Sequence, residues 1–184
     1  VGLEYSRLHY WCYTSPKQII SNNDPLIRSY ALCYLYDHKR PSAVPEIIRV
    51  MKNGPNSHLR LQAAGVLSKW GVTESFKEMV YVFRNDPDQY VRSRVMHLLP
   101  ELNPEEAFLI LIDTIDNSTS YMSRSHAIMA LMTINNPKSL PVLKKVLNDG
   151  SGYEDFVVGA IYNLDTPESN AVITDSLLNS PDIF

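Results

Sequence analysis

Asp88-Gln89-Tyr90-Val91-Arg92-Ser93-Arg94-Val95-Met96-His97-Leu98-Leu99 is the stretch that decides the fold, because its pattern returns along the chain. Counting outward from Arg92 in steps of 32 residues meets Arg60 and Arg28 upstream and Arg124 downstream. A small or β-branched residue follows each arginine by three positions (Ala31, Ala63, Val95, Ala127), and a leucine follows by seven (Leu35, Leu67, Leu99, Leu131). A fifth copy, one residue out of register and without its arginine, keeps Val157, Ala160 and Leu164 in these places. A repeat of about 20 to 50 residues is one supersecondary unit that buries its apolar face only against its neighbours, so the chain reads as a solenoid.

Each copy carries its own start signal. Four residues before the arginines stand Asp24, Asn56, Asp88 and Ser120. Their side-chain oxygens suit the unpaired N–H groups of a first helical turn, and Pro25 occupies a first helical position, where a missing N–H costs nothing. Seven residues before the arginines stand Asn53, Asn85 and Asn117. Asparagine tolerates the left-handed backbone that closes many helices, so these positions are expected to end the preceding helix in that conformation. Only two residues separate the stop from the start: Gly54-Pro55, Asp86-Pro87 and Ser118-Thr119, which is turn chemistry between antiparallel helices.

Upstream of each turn, apolar residues recur at helical spacing: Ile47, Ile48 and Met51, then Phe76, Met79 and Val80, then Phe108, Leu111 and Ile112. Prolines 41, 45, 104, 137, 141 and 167 fall in the first turns of these helices and mark their starts. The spacing predicts helix pairs at about residues 3–37, 41–69, 73–101, 104–133 and 137–165, and a terminal helix over 167–179, in a single domain 1–184. Leu3 to Ser21, rich in Tyr5, Tyr10, Trp11 and Tyr13, is expected to supply the helix that pairs with the first arginine helix. Its aromatic surface offers an uncapped end, through which self-association is expected.

The segments Asp24-Pro25-Leu26-Ile27-Arg28-Ser29-Tyr30-Ala31 and Asp88-Gln89-Tyr90-Val91-Arg92-Ser93-Arg94-Val95 resemble the HEAT-like repeats of the phycobilisome-lyase type, in which an acid or amide, a turn, and Val-Arg-x-x-Ala-x-x-x-Leu recur. The resemblance covers about four-fifths of the chain and implies an all-α, right-handed solenoid of about five helix pairs, with the second helices lining a concave face. On a wheel of about 100° per residue, the positions around each arginine at −1, +3, +4 and +7 are apolar, so the arginine points to the packed side. The resemblance then implies a structural ladder in which Arg28, Arg60, Arg92 and Arg124 pair with cap groups (Asp24, Asn56, Asp88, Ser120) and loop carbonyls across repeats. A planar five-donor guanidinium can satisfy several acceptors at once, which lysine cannot.

The opposite side of the same helices carries Leu26, His58, Tyr90 and Met122 at position −2, Tyr30, Gln62, Arg94 and His126 at +2, and Cys33, Gly65, His97 and Met129 at +5. The displaced fifth copy adds Tyr162. A solvated helix face without a task is dominated by Lys and Glu, and these positions hold neither. Tyr, His, Met and Arg are enriched at interfaces. Tyr30, Gln62, Tyr90, Arg94, His97, His126, Met129 and Tyr162 are therefore the expected partner-binding residues.

Composition narrows the function. Seventeen cations stand against twenty acids, and the four ladder arginines leave thirteen cations for the surface, which disfavours a phosphate-binding stripe. The longest apolar run, Ala107 to Ile112, is far short of the roughly 20 residues that cross a bilayer. Cys12 and Cys33 form no CxxC, which fits reduced thiols in the cytoplasm. The chain opens on Val1, as a processed protein or a piece of a longer one would.

His58, His97 and His126 come from successive repeats, whose helix axes lie about 8–10 Å apart, whereas metal ligands converge within about 2 Å of the ion. Deoxyhypusine hydroxylase, a metal enzyme with similar repeats, is marked by His-Glu dipeptides, and this sequence contains none. Nor does it contain a phosphate loop, a GxSxG elbow or an HExxH motif. The first helices alternate in sign, from Glu105, Glu106, Asp113 and Asp116 to Lys138, Lys144 and Lys145, as a solvated convex face would. The expected function is a non-catalytic adaptor that binds a peptide, helix or domain in its groove, with no cofactor. Two alternatives are a tetrapyrrole-handling protein similar to the phycobilin lyases, and a nucleic-acid protein similar to the HEAT-like alkylpurine glycosylases.

Overall fold

The computed structural model describes residues 15–179, and all regular structure among them is helical. Much of the expected aromatic first helix, with Tyr5, Tyr10, Trp11, Cys12 and Tyr13, lies outside the described residues. The chain divides between Asn103 and Pro104 into two compact units.

The first unit contains α1 (Pro16–Ile20), α2 (Pro25–Asp37), α3 (Val44–Asn53), α4 (Ser57–Lys69), α5 (Phe76–Asn85) and α6 (Gln89–Leu102). The second contains α7 (Pro104–Asn117), α8 (Tyr121–Ile134), α9 (Leu140–Leu147), α10 (Glu154–Asn163) and α11 (Pro167–Asn179). Single 3₁₀ turns, Pro41–Ala43, Thr73–Ser75 and Pro137–Ser139, lead into α3, α5 and α9.

In the first unit α3 packs on α4 and α5 on α6, while α2, α4 and α6 pack side by side. In the second, α7 packs on α8 and α9 on α10, with α8 against α10. Within each unit, second helices therefore touch both their own partner and a neighbouring second helix, as stacked HEAT-like pairs do. The residues at +3, Ala31, Ala63, Val95 and Ala127, are all fully buried, and their small side chains let these helices approach. The leucines at +7 are buried beside them.

All four expected caps form. Asp24 and Asp88 accept from the N–H of Leu26 and Tyr90, while Asn56 and Ser120 accept from Leu59 and Ser123 one residue further on. Helices α3, α5 and α7 end at Asn53, Asn85 and Asn117, leaving the two-residue turns expected from the sequence.

The conformation of these asparagines corrects the sequence reading: they are the last helical residues, and the backbone leaves the helix through extended φ/ψ at Gly54 and Asp86. The left-handed residues are Gly71, Asn135 and Asp165, which follow α4, α8 and α10, and Gly150 and Gly152, which lie between α9 and α10. No left-handed residue falls in the turns that follow Asn53, Asn85 and Asn117, whereas the last pair, α9–α10, is bent within the repeat. Asn85 Nδ2 instead donates back to the Tyr81 carbonyl at 2.8 Å, one turn earlier in the same helix. Proline is also not confined to starts: Pro100 lies inside α6, in its last turn.

Gly54 owes its identity to close approach. A Cβ there would lie 2.6 Å from the Val50 carbonyl oxygen and 3.1 Å from Arg60 Cγ, so any side chain would displace either the helix end or the arginine.

Candidate interaction surface

The arginine positions hold the second helices in place. Three of the four guanidinium groups donate to the carbonyl six residues back: Arg28 to Asn22, Arg60 to Gly54 at 2.9 Å, and Arg92 to Asp86 at 2.5 Å. Arg124 reaches the Ile115 carbonyl instead, at 2.9 Å. Each thereby ties the start of a second helix to the end of the first.

Two of the four also meet a carboxylate from the next turn. Arg60 grips Asp86 with both arms of its fork, Nε to Oδ2 at 2.7 Å and Nη2 to Oδ1 at 2.8 Å, and both side chains are buried. Arg124 Nη2 meets Asp149 Oδ2 at 3.2 Å in a more exposed setting. The residues 26 positions after Arg28 and Arg92 are Gly54 and Ser118, which carry no charge.

The acid facing Arg60 is thus the turn residue Asp86 rather than the cap Asp88. Hydrogen bonding to Asp86 holds the Arg60 guanidinium above its ordinary pKa. Asp88 is held below the usual carboxylate range, first by the Tyr90 N–H and then by Ser57, with the Arg60 charge a weaker influence. The signal for Asp86 was present in the sequence as an acid inside a turn otherwise built for bending.

The expected interface residues divide between the units. On the first, Tyr90 and Arg94 are exposed on α6, while Tyr30 on α2, Gln62 on α4 and His97 on α6 are half-buried. On the second, Met129 on α8 and Tyr162 on α10 are exposed and His126 on α8 is half-buried. Leu26, 79% exposed, and Tyr90, 64% exposed, are large apolar side chains left in water at the start of α2 and α6. Tyr162, 72% exposed, does the same on α10. Arg94 makes no ion pair among the described residues.

Between α2 and α4 the first unit opens a cleft of about 380 Å³. Leu32, Val66 and Tyr36 supply apolar walls, and Cys33, Asp37 and Gln62 the polar groups. Gln62 Nε2 donates to Cys33 Sγ at 3.2 Å, whereas its Oε1 is buried and accepts no hydrogen bond. Lys69 Nζ sits 5.4 Å from the centroid of the Tyr36 ring, a cation–π contact at the cleft edge. Tyr36 and Asp37 lie one turn beyond the positions compared on the helical wheel, so sequence reasoning did not reach them.

On the first helices the alternation of charge has a consequence the sequence reading missed. Lys52 of α3 pairs with Glu78 of α5, and Lys145 of α9 meets Asp116 of α7 at 2.6 Å. Neighbouring first helices thus match opposite charges along an otherwise solvated surface.

Among the described residues, no helix is long and apolar enough to cross a membrane, and no three His, Cys, Asp or Glu side chains are grouped to hold a metal ion. No curated protein matches the chain. Residues 76–164, from the start of α5 through the end of the α9–α10 pair, match the family model of HEAT repeats, to which that stretch is similar in sequence as well as in its stacked helix pairs.

Proposed function

We propose that the protein is a non-catalytic interaction scaffold that holds a protein partner on the faces of its second helices. The observation that carries this reading is the set of large apolar side chains these helices leave in water, Leu26, Tyr90, Met122, Met129 and Tyr162. The −2, +2 and +5 positions of the four arginine-bearing copies contain no Lys or Glu to keep them solvated. Exposed apolar groups interspersed with Arg and His have the composition of an interface core and rim. HEAT repeats commonly serve as interaction scaffolds, which supports the same reading. Cytoplasmic residence, where Cys33 stays a thiol, belongs to it as well.

The test is affinity capture from native lysate with wild type beside a Tyr90→Ala, Arg94→Ala variant, followed by mass spectrometry. Both side chains are exposed, so the variant is expected to melt within about 2 °C of wild type and to lose the principal captured protein. An identical catch from both proteins would remove the α6 face from the binding surface.

A further inference from the structure

We propose that α5 of one copy of this chain docks on α7 of a second copy, joining two exposed helix stripes of opposite charge. The stripes lie on first helices, so the inference goes beyond the second-helix faces of the scaffold reading and does not depend on them.

The charges of the chain are divided between its two units. Residues 1–103 carry thirteen Lys and Arg against nine Asp and Glu, whereas residues 104–184 carry four against eleven. A chain whose halves differ in sign is complementary to another copy of itself: basic half on acidic half is attractive, and like halves repel.

The first helices show where the complementary surfaces lie. On α5, Lys77, Tyr81 and Arg84 stand at i, i+4 and i+7, which places them on one side of the helix. All three are exposed, and Tyr81 keeps 53% of its surface in water although Lys52 Nζ of α3 lies 4.8 Å from its ring centroid. On α7, Glu105, Leu109 and Asp113 stand at i, i+4 and i+8 and are exposed as well, Leu109 by 66%. Each stripe thus has a large apolar group at its centre and a charge of one sign a turn to either side. The outer charges lie about 10.5 Å apart along α5 and about 12 Å apart along α7, a mismatch well within the reach of their side chains. Tyr81 against Leu109 would take both apolar groups out of water, with Lys77 and Arg84 meeting Glu105 and Asp113 around them.

These charges are not spent inside the chain. Within each unit, neighbouring first helices match charges through other residues, Lys52 with Glu78 and Lys145 with Asp116. Lys77, Arg84 and Glu105 enter no ion pair among the described residues. Asp113 Oδ1 accepts from the neutral amide of Asn117 at 2.8 Å, which leaves its charge uncompensated.

The experiment is sedimentation velocity on the full chain. The weight-average mass of wild type is expected to rise with concentration up to about 100 μM in about 50 mM salt. The dissociation constant should increase at least about tenfold in about 500 mM salt, because exposed charges are screened. Two variants reverse one stripe each: Lys77→Glu with Arg84→Glu, and Glu105→Lys with Asp113→Lys. Each is expected to stay monomeric by itself, since its two stripes then share a sign. An equal mixture of the two should associate again, because every α5 stripe of one variant is opposite in sign to the α7 stripe of the other. Leu109→Ser, which changes no charge, should weaken wild-type association at least about fivefold.

Wild type that remains monomeric at low salt would overturn the proposal. So would a reversed variant that associates as wild type does, the result that self-association through the aromatic amino-terminal residues would give. A mixture of the two folded variants that stays monomeric would overturn it too. Tyr90 and Arg94 belong to neither stripe, so the capture experiment and the sedimentation experiment succeed or fail separately.

Discussion

Arg60 and Arg124 stand at the same position of the repeat, and each reaches an acid in the following turn, but they do so under different conditions. In the first unit a two-armed fork holds a carboxylate whose side chain is 2% exposed; in the second, one arm meets a carboxylate that is 32% exposed. The 32-residue period places a guanidinium at the same point of both helices, and burial then decides what the contact is worth. Desolvated charges depend on each other, because removing one leaves the other uncompensated, whereas water screens and replaces a rim contact.

The largest effect is expected from Asp86→Ala. It leaves a buried guanidinium without its carboxylate, at a cost of about 3–5 kcal/mol and a fall in melting temperature of at least about 6 °C by differential scanning calorimetry. A fall of under about 2 °C would erase the contrast between the units. Arg92→Lys comes next. It keeps the charge but loses the planar donor that reaches the Asp86 carbonyl, and about 1–2 kcal/mol should be lost in urea unfolding with an unchanged slope. Asp149→Ala is expected to cost less than about 1 kcal/mol, because its partner remains partly in water.

The smallest effect is the acid dependence. Arg49 and then Ser21 hold Glu46 below the usual carboxylate range, and hydrogen bonding from Ser151, then Arg124, does the same for Asp149. A carboxyl whose folded pKa is depressed favours the folded state fully above its unfolded value, about 4, and the contribution disappears as pH falls through the folded value. The melting temperature should decline below about pH 4, and the Asp149→Ala variant should decline less steeply. Equal slopes in the two proteins would show that Asp149 does not carry the dependence.

What was legible in the sequence was whatever the repeat states several times. The caps Asp24, Asn56, Asp88 and Ser120 and the buried residues at +3 and +7 are each written four times, and the two-residue turns three times, so single-residue noise cancels. The left-handed bends were not legible from the asparagines, because Asn53, Asn85 and Asn117 can use their amides on helix-end carbonyls as readily as they can adopt positive φ. Pro100 inside α6 shows the same limit, since one residue type has several physical uses. The cleft was invisible for a different reason. It needs Gly65, Gln62 and Tyr36 to come together from two helices, and only Gln62 stood out as a candidate along the chain.

Asp86 has a further consequence for how the first unit opens. Its side chain holds Arg60 from α4 and the N–H of Asp88 at the cap of α6, while its carbonyl holds Arg92. One residue therefore belongs to three segments, and none of them can detach without breaking bonds made by the other two. Amide hydrogens of α4 and α6 should exchange with solvent through a shared opening rather than by separate fraying, giving the two helices a common protection free energy. Around Arg124 the fastening is looser, and α8 and α10 are free to exchange at rates of their own.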